Sequence, residues 1–178
     1  MCAWFRGLAL FGFCLANANL LAQSPERSPP PAQIRAAAFN VMKAARYCTM
    51  ITNGEDGQPQ ARIVDPLIAE ADGSIWVATN PLTRKVREIE RDPRVTLMFF
   101  NPAAGEYVTV LAKATVVTDA SQKGARWKPE WKPFYKDQSR GPDFMLFEIR
   151  PFQLEVSSPR HKMANDPKTW RPVILKLP

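Results

Sequence analysis

Histidine occurs once in this 178-residue chain, at His161, and cysteine three times, at Cys2, Cys14 and Cys48. A single histidine excludes a His-based zinc site or a pair of catalytic histidines, and the sequence has no Cys/His cluster to hold a metal. There is no glycine-rich phosphate loop and no Ser-His-Asp set. There is also no polybasic tract and no RNA-type aromatic motif. The 24 lysines and arginines are scattered against 17 acidic residues. The resulting charge of +7 favours anionic partners in general, while the scatter of the cations and the lack of such motifs argue against nucleic acid. What remains is ordinary globular composition, 46% apolar and 23% charged, in a chain long enough to close one core.

The first residues, MCAWFRGLALFGFCLANANLLAQS, carry one cation, Arg6, then an apolar stretch and small-residue exits. That outline predicts a signal peptide over 1–22, with an apolar core too short to leave a stable membrane span in the mature chain. The expected location is therefore periplasmic or secreted. Cleavage would remove Cys2 and Cys14, leaving Cys48 as a lone thiol unable to form an internal disulfide. Without Arg6 the balance is 23 basic against 17 acidic residues, a charge of +6. Residues 23–31 read as a flexible proline-rich leader, and 32–178 as a single domain.

Within that domain, IRAAAFNVMKAAR places Ile34, Ala37, Ala38, Val41, Met42 and Ala45 on one helical face. Strand signals follow in YCTMITN and in PQARIVDPLIAE, joined by Gly54-Glu55-Asp56-Gly57, whose glycines are expected to supply positive φ. Pro66 marks an edge or a bulge. Asp72-Gly73 then turns the chain into SIWVAT. RVTLMFFN, EYVTVLAKATVV, DFMLFEIRPFQLEVSS and WRPVILKL complete the set, with an aromatic, proline-broken insertion near 121–143. The pattern predicts a mainly β fold of six to seven antiparallel strands with short peripheral helices. Closure into a barrel would remove the sheet's edges.

One stretch combines several anion-binding residue types. TNPLTRK, residues 79–85, lies where a strand gives way to a helix, and brings together Thr79, Asn80, Thr83, Arg84 and Lys85. A helix N-terminus offers unpaired N–H groups to an anion. Hydroxyls and cations around it would complete a phosphate pocket. The same letters also describe a helix capped by Asn80 or Thr83 with a solvated basic face behind it. Arg62 favours the phosphate reading. Its strand is expected to pair with SIWVAT through the Asp72-Gly73 turn, which would bring it towards Thr79.

Taken in order, the leading helix, AARYCTMITNGEDGQPQARIV, SIWVATNPLTRK, RDPRVTLMFF and GEYVTVLAKATVV resemble the pyridoxamine 5′-phosphate oxidase-like family, and in particular its general-stress-protein branch. The resemblance spans about residues 34–156. It implies an FMN-binding split β-barrel that works as a homodimer, with flavin in the clefts between subunits. Carried over, it implies that Arg62, Arg84 and Lys85 neutralise the FMN phosphate, with Thr79, Asn80 and Thr83 beside it. It places the backbone of Ile63 and Val64 against the flavin ring, and Tyr107 where a glutamine of the family meets the flavin.

Departures from the family pattern set the limits. Leu67 stands near a substrate-binding lysine of the true oxidase, Val156-Ser157 replaces a Phe-Trp pair, and Arg160-His161 stands for a spaced Arg-x-His motif. The resemblance therefore implies a flavoprotein oxidoreductase acting on a small-molecule substrate other than pyridoxamine phosphate. A flavin-binding stress module without turnover and a deazaflavin-dependent reductase are the alternatives. Trp127, Trp131, Phe134 and Tyr135 would line the substrate side of the cleft or pack as core. His161 reads as a proton donor or a surface residue, and Cys48 as a buried small hydrophobe.

Overall fold

The structure is a computed structural model that describes residues 28–68 and 72–178. The signal peptide expected at 1–22, and most of the leader, lie outside the described residues. Helix α1 spans Pro31–Ala45, one residue inside the expected leader. Pro31 suits that start, because the first turn leaves its N–H groups unbonded in any case. Ile34, Ala37, Ala38, Val41 and Met42 are buried, as their spacing requires. The helix stops at Arg46, whose φ of 64° is left-handed, at a cost of about 1 kcal/mol for a residue with a Cβ.

Eight strands follow: β1 (Cys48–Asn53), β2 (Pro59–Val64), β3 (Pro66–Ile68), β4 (Ile75–Thr79), β5 (Arg94–Asn101), β6 (Glu106–Val117), β7 (Met145–Ser157) and β8 (Val173–Lys176). The eighth arises because PQARIVDPLIAE is not one strand. It breaks at Asp65, and the two halves part company: β2 pairs with β1, while β3 pairs with β4. The sheet order is β2-β1-β5-β6-β7-β4-β3, with β8 added to β7. Its two outer strands, β2 and β3, are thus consecutive in sequence with one residue between them. A sheet whose edges are joined by a single residue must curl round on itself, so the fold is a split antiparallel barrel.

The β6–β7 ladder is its longest seam and shifts register at Leu111/Ala112, opposite Pro151, where a residue without an N–H is tolerated. Among the turns, Gly57 and Gly73 have φ of 79° and 78°. Gly54 does not; it is glycine for space, since a Cβ there would meet the Asp56 carboxylate and the Gln58 carbonyl at 2.8 Å. Helix α2 spans Arg84–Arg91 and α3 spans Ala120–Ala125. The main core lies between α1 and the sheet and holds Val41, Met50, Leu97, Phe99 and Ile149. Each such side chain contributes roughly 2 kcal/mol on burial. A second cluster, of Trp76, Trp131, Tyr135, Phe144 and Leu146, docks the insertion onto the barrel. Among the described residues no helix is long and apolar enough to cross a membrane.

Candidate functional site

The turn from β4 into α2 is built by its own side chains. The Asn80 side-chain oxygen accepts from the Leu82 N–H at 2.8 Å. The Thr83 hydroxyl donates to the Asn80 carbonyl at 2.8 Å and lies 3.0 Å from the Thr79 hydroxyl. Thr83 holds the N-cap position, yet its side chain makes no capping bond to the helix. The Val86 N–H donates to the Thr83 carbonyl at 3.1 Å, which leaves the N–H groups of Arg84 and Lys85 as the opening donors of α2 without an acceptor in the helix. Their partial positive charge lies beside the paired threonine hydroxyls.

This turn forms one wall of a 420 Å³ cavity, through Thr79, Asn80, Thr83 and Lys85. A second wall is the strand break at Ile63, Val64 and Asp65. Trp131, Phe134 and Tyr135 of the insertion supply a third, and Arg46 and Tyr47 a fourth. Burial lowers the pKa of Lys85, the neighbouring Arg62 lowers it further, and Glu88 opposes both. A lysine half withdrawn from water beside another cation is one that gains by binding an anion. Asp65 ties the walls together: its carboxylate accepts from the Lys128 ammonium at 2.8 Å and from the Trp131 indole N–H at 3.1 Å.

Six of the nine residues expected at the cofactor meet at this cavity, Ile63, Val64, Thr79, Asn80, Thr83 and Lys85, and so do Trp131, Phe134 and Tyr135 of the aromatic set. Arg62 and Arg84 do not line it. Arg62 reaches under α2, where Nη1 donates to the Thr52 hydroxyl and Nη2 to Glu88 Oε2 at 2.8 Å. The expected pairing of its strand with β4 is corrected here, because the chain turns at Asp65 before that pairing begins. Arg84 is exposed, 3.3 Å from Glu88 Oε1, and faces a separate hollow with Gly54, Asp56 and Arg87.

Tyr107 stands at the far end of the barrel, opposite Ser157 on β7. There the fully buried Glu106 carboxylate accepts from Asn101, Ser158 and Arg160, and the His161 ring lies 2.7 Å from the Ser158 hydroxyl. Glu88, Asp65, Arg46 and Tyr47 were not legible as site residues. The only available signals were an acid four residues after Arg84 and an acid before a proline, and both are common on surfaces.

A barrel curled on itself, with a hydroxyl-and-cation turn at the strand-to-helix junction, defines the class of split-barrel proteins that the sequence resembled. The profile of the pyridoxamine 5′-phosphate oxidase family matches residues 34–158, and the chain belongs to that family. Its fold is similar to that of a Clostridium acetobutylicum protein related to general stress protein 26 of B. subtilis. The two share 15% identity over 84% of this chain and 97% of that one, with a TM-score of 0.68. General stress protein 26 of Bacillus anthracis is similar at 19% identity over 82% and 99% of the two chains, TM-score 0.66. A pyridoxamine 5′-phosphate oxidase-related, FMN-binding protein of Nostoc punctiforme is similar at 15% identity over 84% and 98%, TM-score 0.54. No curated protein sequence matches the chain.

Proposed function

We propose that this chain is an exported, homodimeric flavoprotein of the pyridoxamine 5′-phosphate oxidase family, which binds FMN in the cavity at the head of α2 and passes hydride to a small-molecule substrate. The observation that carries the reading is the convergence of Thr79, Thr83 and the partly buried Lys85 on one wall, next to the strand break at Ile63 and Val64. That set fits a phosphate monoester: the Thr79 hydroxyl backed by Thr83, the opening N–H groups of Arg84 and Lys85, and the partly buried Lys85 ammonium. The exposed Ile63 side chain and the backbone beside it fit a flat apolar ring. A second hollow, of 360 Å³ between α1 and the C-terminal strand, is lined mainly by apolar side chains such as Phe39, Met42 and Leu177 and gathers no comparable donors.

FMN, when bound, supplies the hydride chemistry itself. The chain's own residues hold the phosphate at one end and shape the cavity at the other. Phe134 is largely exposed and Trp131 and Tyr135 are buried, so the insertion gives the cavity an aromatic wall. One observation favours a flavin-binding module with little turnover: Asp65 at the cavity is already paired with Lys128 and Trp131, so it is held rather than free to move a proton.

The test is an absorbance spectrum of the purified, desalted protein before and after adding FMN. Flavin bands at about one equivalent per chain, bleached by a nicotinamide donor and restored by an acceptor, are expected for the oxidoreductase. Bands that no donor bleaches would favour the module, and a folded protein that retains no flavin would overturn the proposal.

A further inference from the structure

Glu88 is an unusual residue for the inner side of a short basic helix. Its side chain is 6% exposed, and every strong partner it has belongs to the anion-binding end of the molecule. Oε2 accepts from the Thr52 hydroxyl of β1 and from Arg62 Nη2 of β2, while Oε1 faces Arg84 Nε at 3.3 Å. A buried carboxylate is costly unless paired, so this one is fixed by its ligands and fixes them in return. The Arg62 guanidinium is gripped on its outer edge, with Nη1 on Thr52 and Met50 and one Nη2 hydrogen on Glu88. Its Nε–H donates to no described residue. A planar guanidinium held by one edge leaves the other free, and two parallel N–H groups match two phosphate oxygens. Arg62 does not itself line the cavity but is a close neighbour of Lys85, which does.

Charge points the same way. Lys85 and Arg62 against Glu88 leave a net positive charge on the cavity side of α2, while Arg84 sits on the far side of Glu88. Without Glu88 the three cations would repel one another, and Arg62 would lose the partner that orients it.

We propose that Glu88 is the positioning residue of the phosphate site: it clamps Arg62 from behind so that the free guanidinium edge is preset for the phosphate of the ligand. This rests on the reading of the cavity as an FMN site. The positioning acts on the phosphate alone, so it separates FMN from riboflavin, which has the same ring and no phosphate.

The experiment is a titration of the flavin-free protein with FMN and with riboflavin, for the wild type and for Glu88→Gln, Glu88→Asp and Thr52→Val. Each protein is first checked for native circular dichroism. Glu88→Gln is expected to weaken FMN about tenfold, the scale of one charge-assisted hydrogen bond, with riboflavin unchanged. Glu88→Asp should recover part of the loss. Thr52→Val, which leaves the carboxylate in place, should weaken FMN by a smaller factor and carries the test if Glu88→Gln does not fold. A wild type that prefers FMN together with variants that keep the full preference would overturn the role of Glu88 and leave the FMN site standing. A wild type that binds both flavins equally would overturn the phosphate site itself, and this proposal with it.

Discussion

Residue by residue, the cations near α2 are not equivalent, and their environments rank them. Lys85 lines the cavity and Arg62 lies behind it, whereas Arg84 is exposed on the other side of Glu88. Lys85→Ala and Arg62→Ala are expected to cost about 1.5–3 kcal/mol of FMN binding, and Arg84→Ala less than about 1 kcal/mol, read by quenching of flavin fluorescence. At the opposite end, burial pushes the Glu106 carboxyl up, but hydrogen bonds from Ser158 and Asn101 and the charge of Arg160 outweigh it and hold the pKa below the ordinary value of 4.5. A depressed carboxylate adds stability above the unfolded pKa and loses it as pH falls through the folded one. Melting temperature should therefore drop as the pH falls below about 4.5 in the wild type, and drop less in Glu106→Gln, which starts lower. Cys48 is 2% exposed, and burial, helped by the Asp65 charge, pushes its thiol up to about 12. With Cys2 and Cys14 replaced by serine, the native protein should not react with a thiol reagent until denaturant is added.

The elements show what a sequence can and cannot disclose. Helix α1, the 12 residues of β6 and the two turns at Gly57 and Gly73 follow from periodicity and turn chemistry, because each is a local property. The break at Asp65 does not. Pro66 announced an interruption, but where the two halves go is decided by distant strands: β1 for one and β4 for the other. For the same reason the placement of Arg62 was not legible, since its orientation depends on Thr52 and Glu88, ten and 26 residues away. The Asp-Pro entry into β5 has a cause that the sequence concealed. Asp92 accepts from the Arg94 side chain and from Asn53 of β1, which hold its carboxyl well below the usual carboxylate range and pin the end of α2 to the sheet. The insertion depends on one such link. Asp65→Asn removes the charge facing Lys128 and is expected to destabilise by about 1–2 kcal/mol while making the segment around Trp127–Gly141 the first site of proteolytic cleavage.

At the scale of the whole molecule, β7 acts as a ruler. It carries Met145 opposite Thr79 and Ser157 opposite Tyr107, so the two ends invoked for one flavin lie 12 residues apart on a single strand. At about 3.3 Å per residue that is roughly 40 Å along the strand, more than a flavin can bridge. If Tyr107 touches the flavin, it does so from a second copy of the chain, and the ligand is shared between two molecules. Cofactor retention then becomes a mass-action quantity. Diluting the protein through its dimer dissociation constant should release flavin in step with monomer, and adding FMN should lower that constant by the same factor. Flavin fluorescence and sedimentation velocity on one dilution series would show both halves of that reciprocity. If the chain is exported, as proposed, its grip on the cofactor would be set as much by how many copies accumulate outside the cell as by any single side chain.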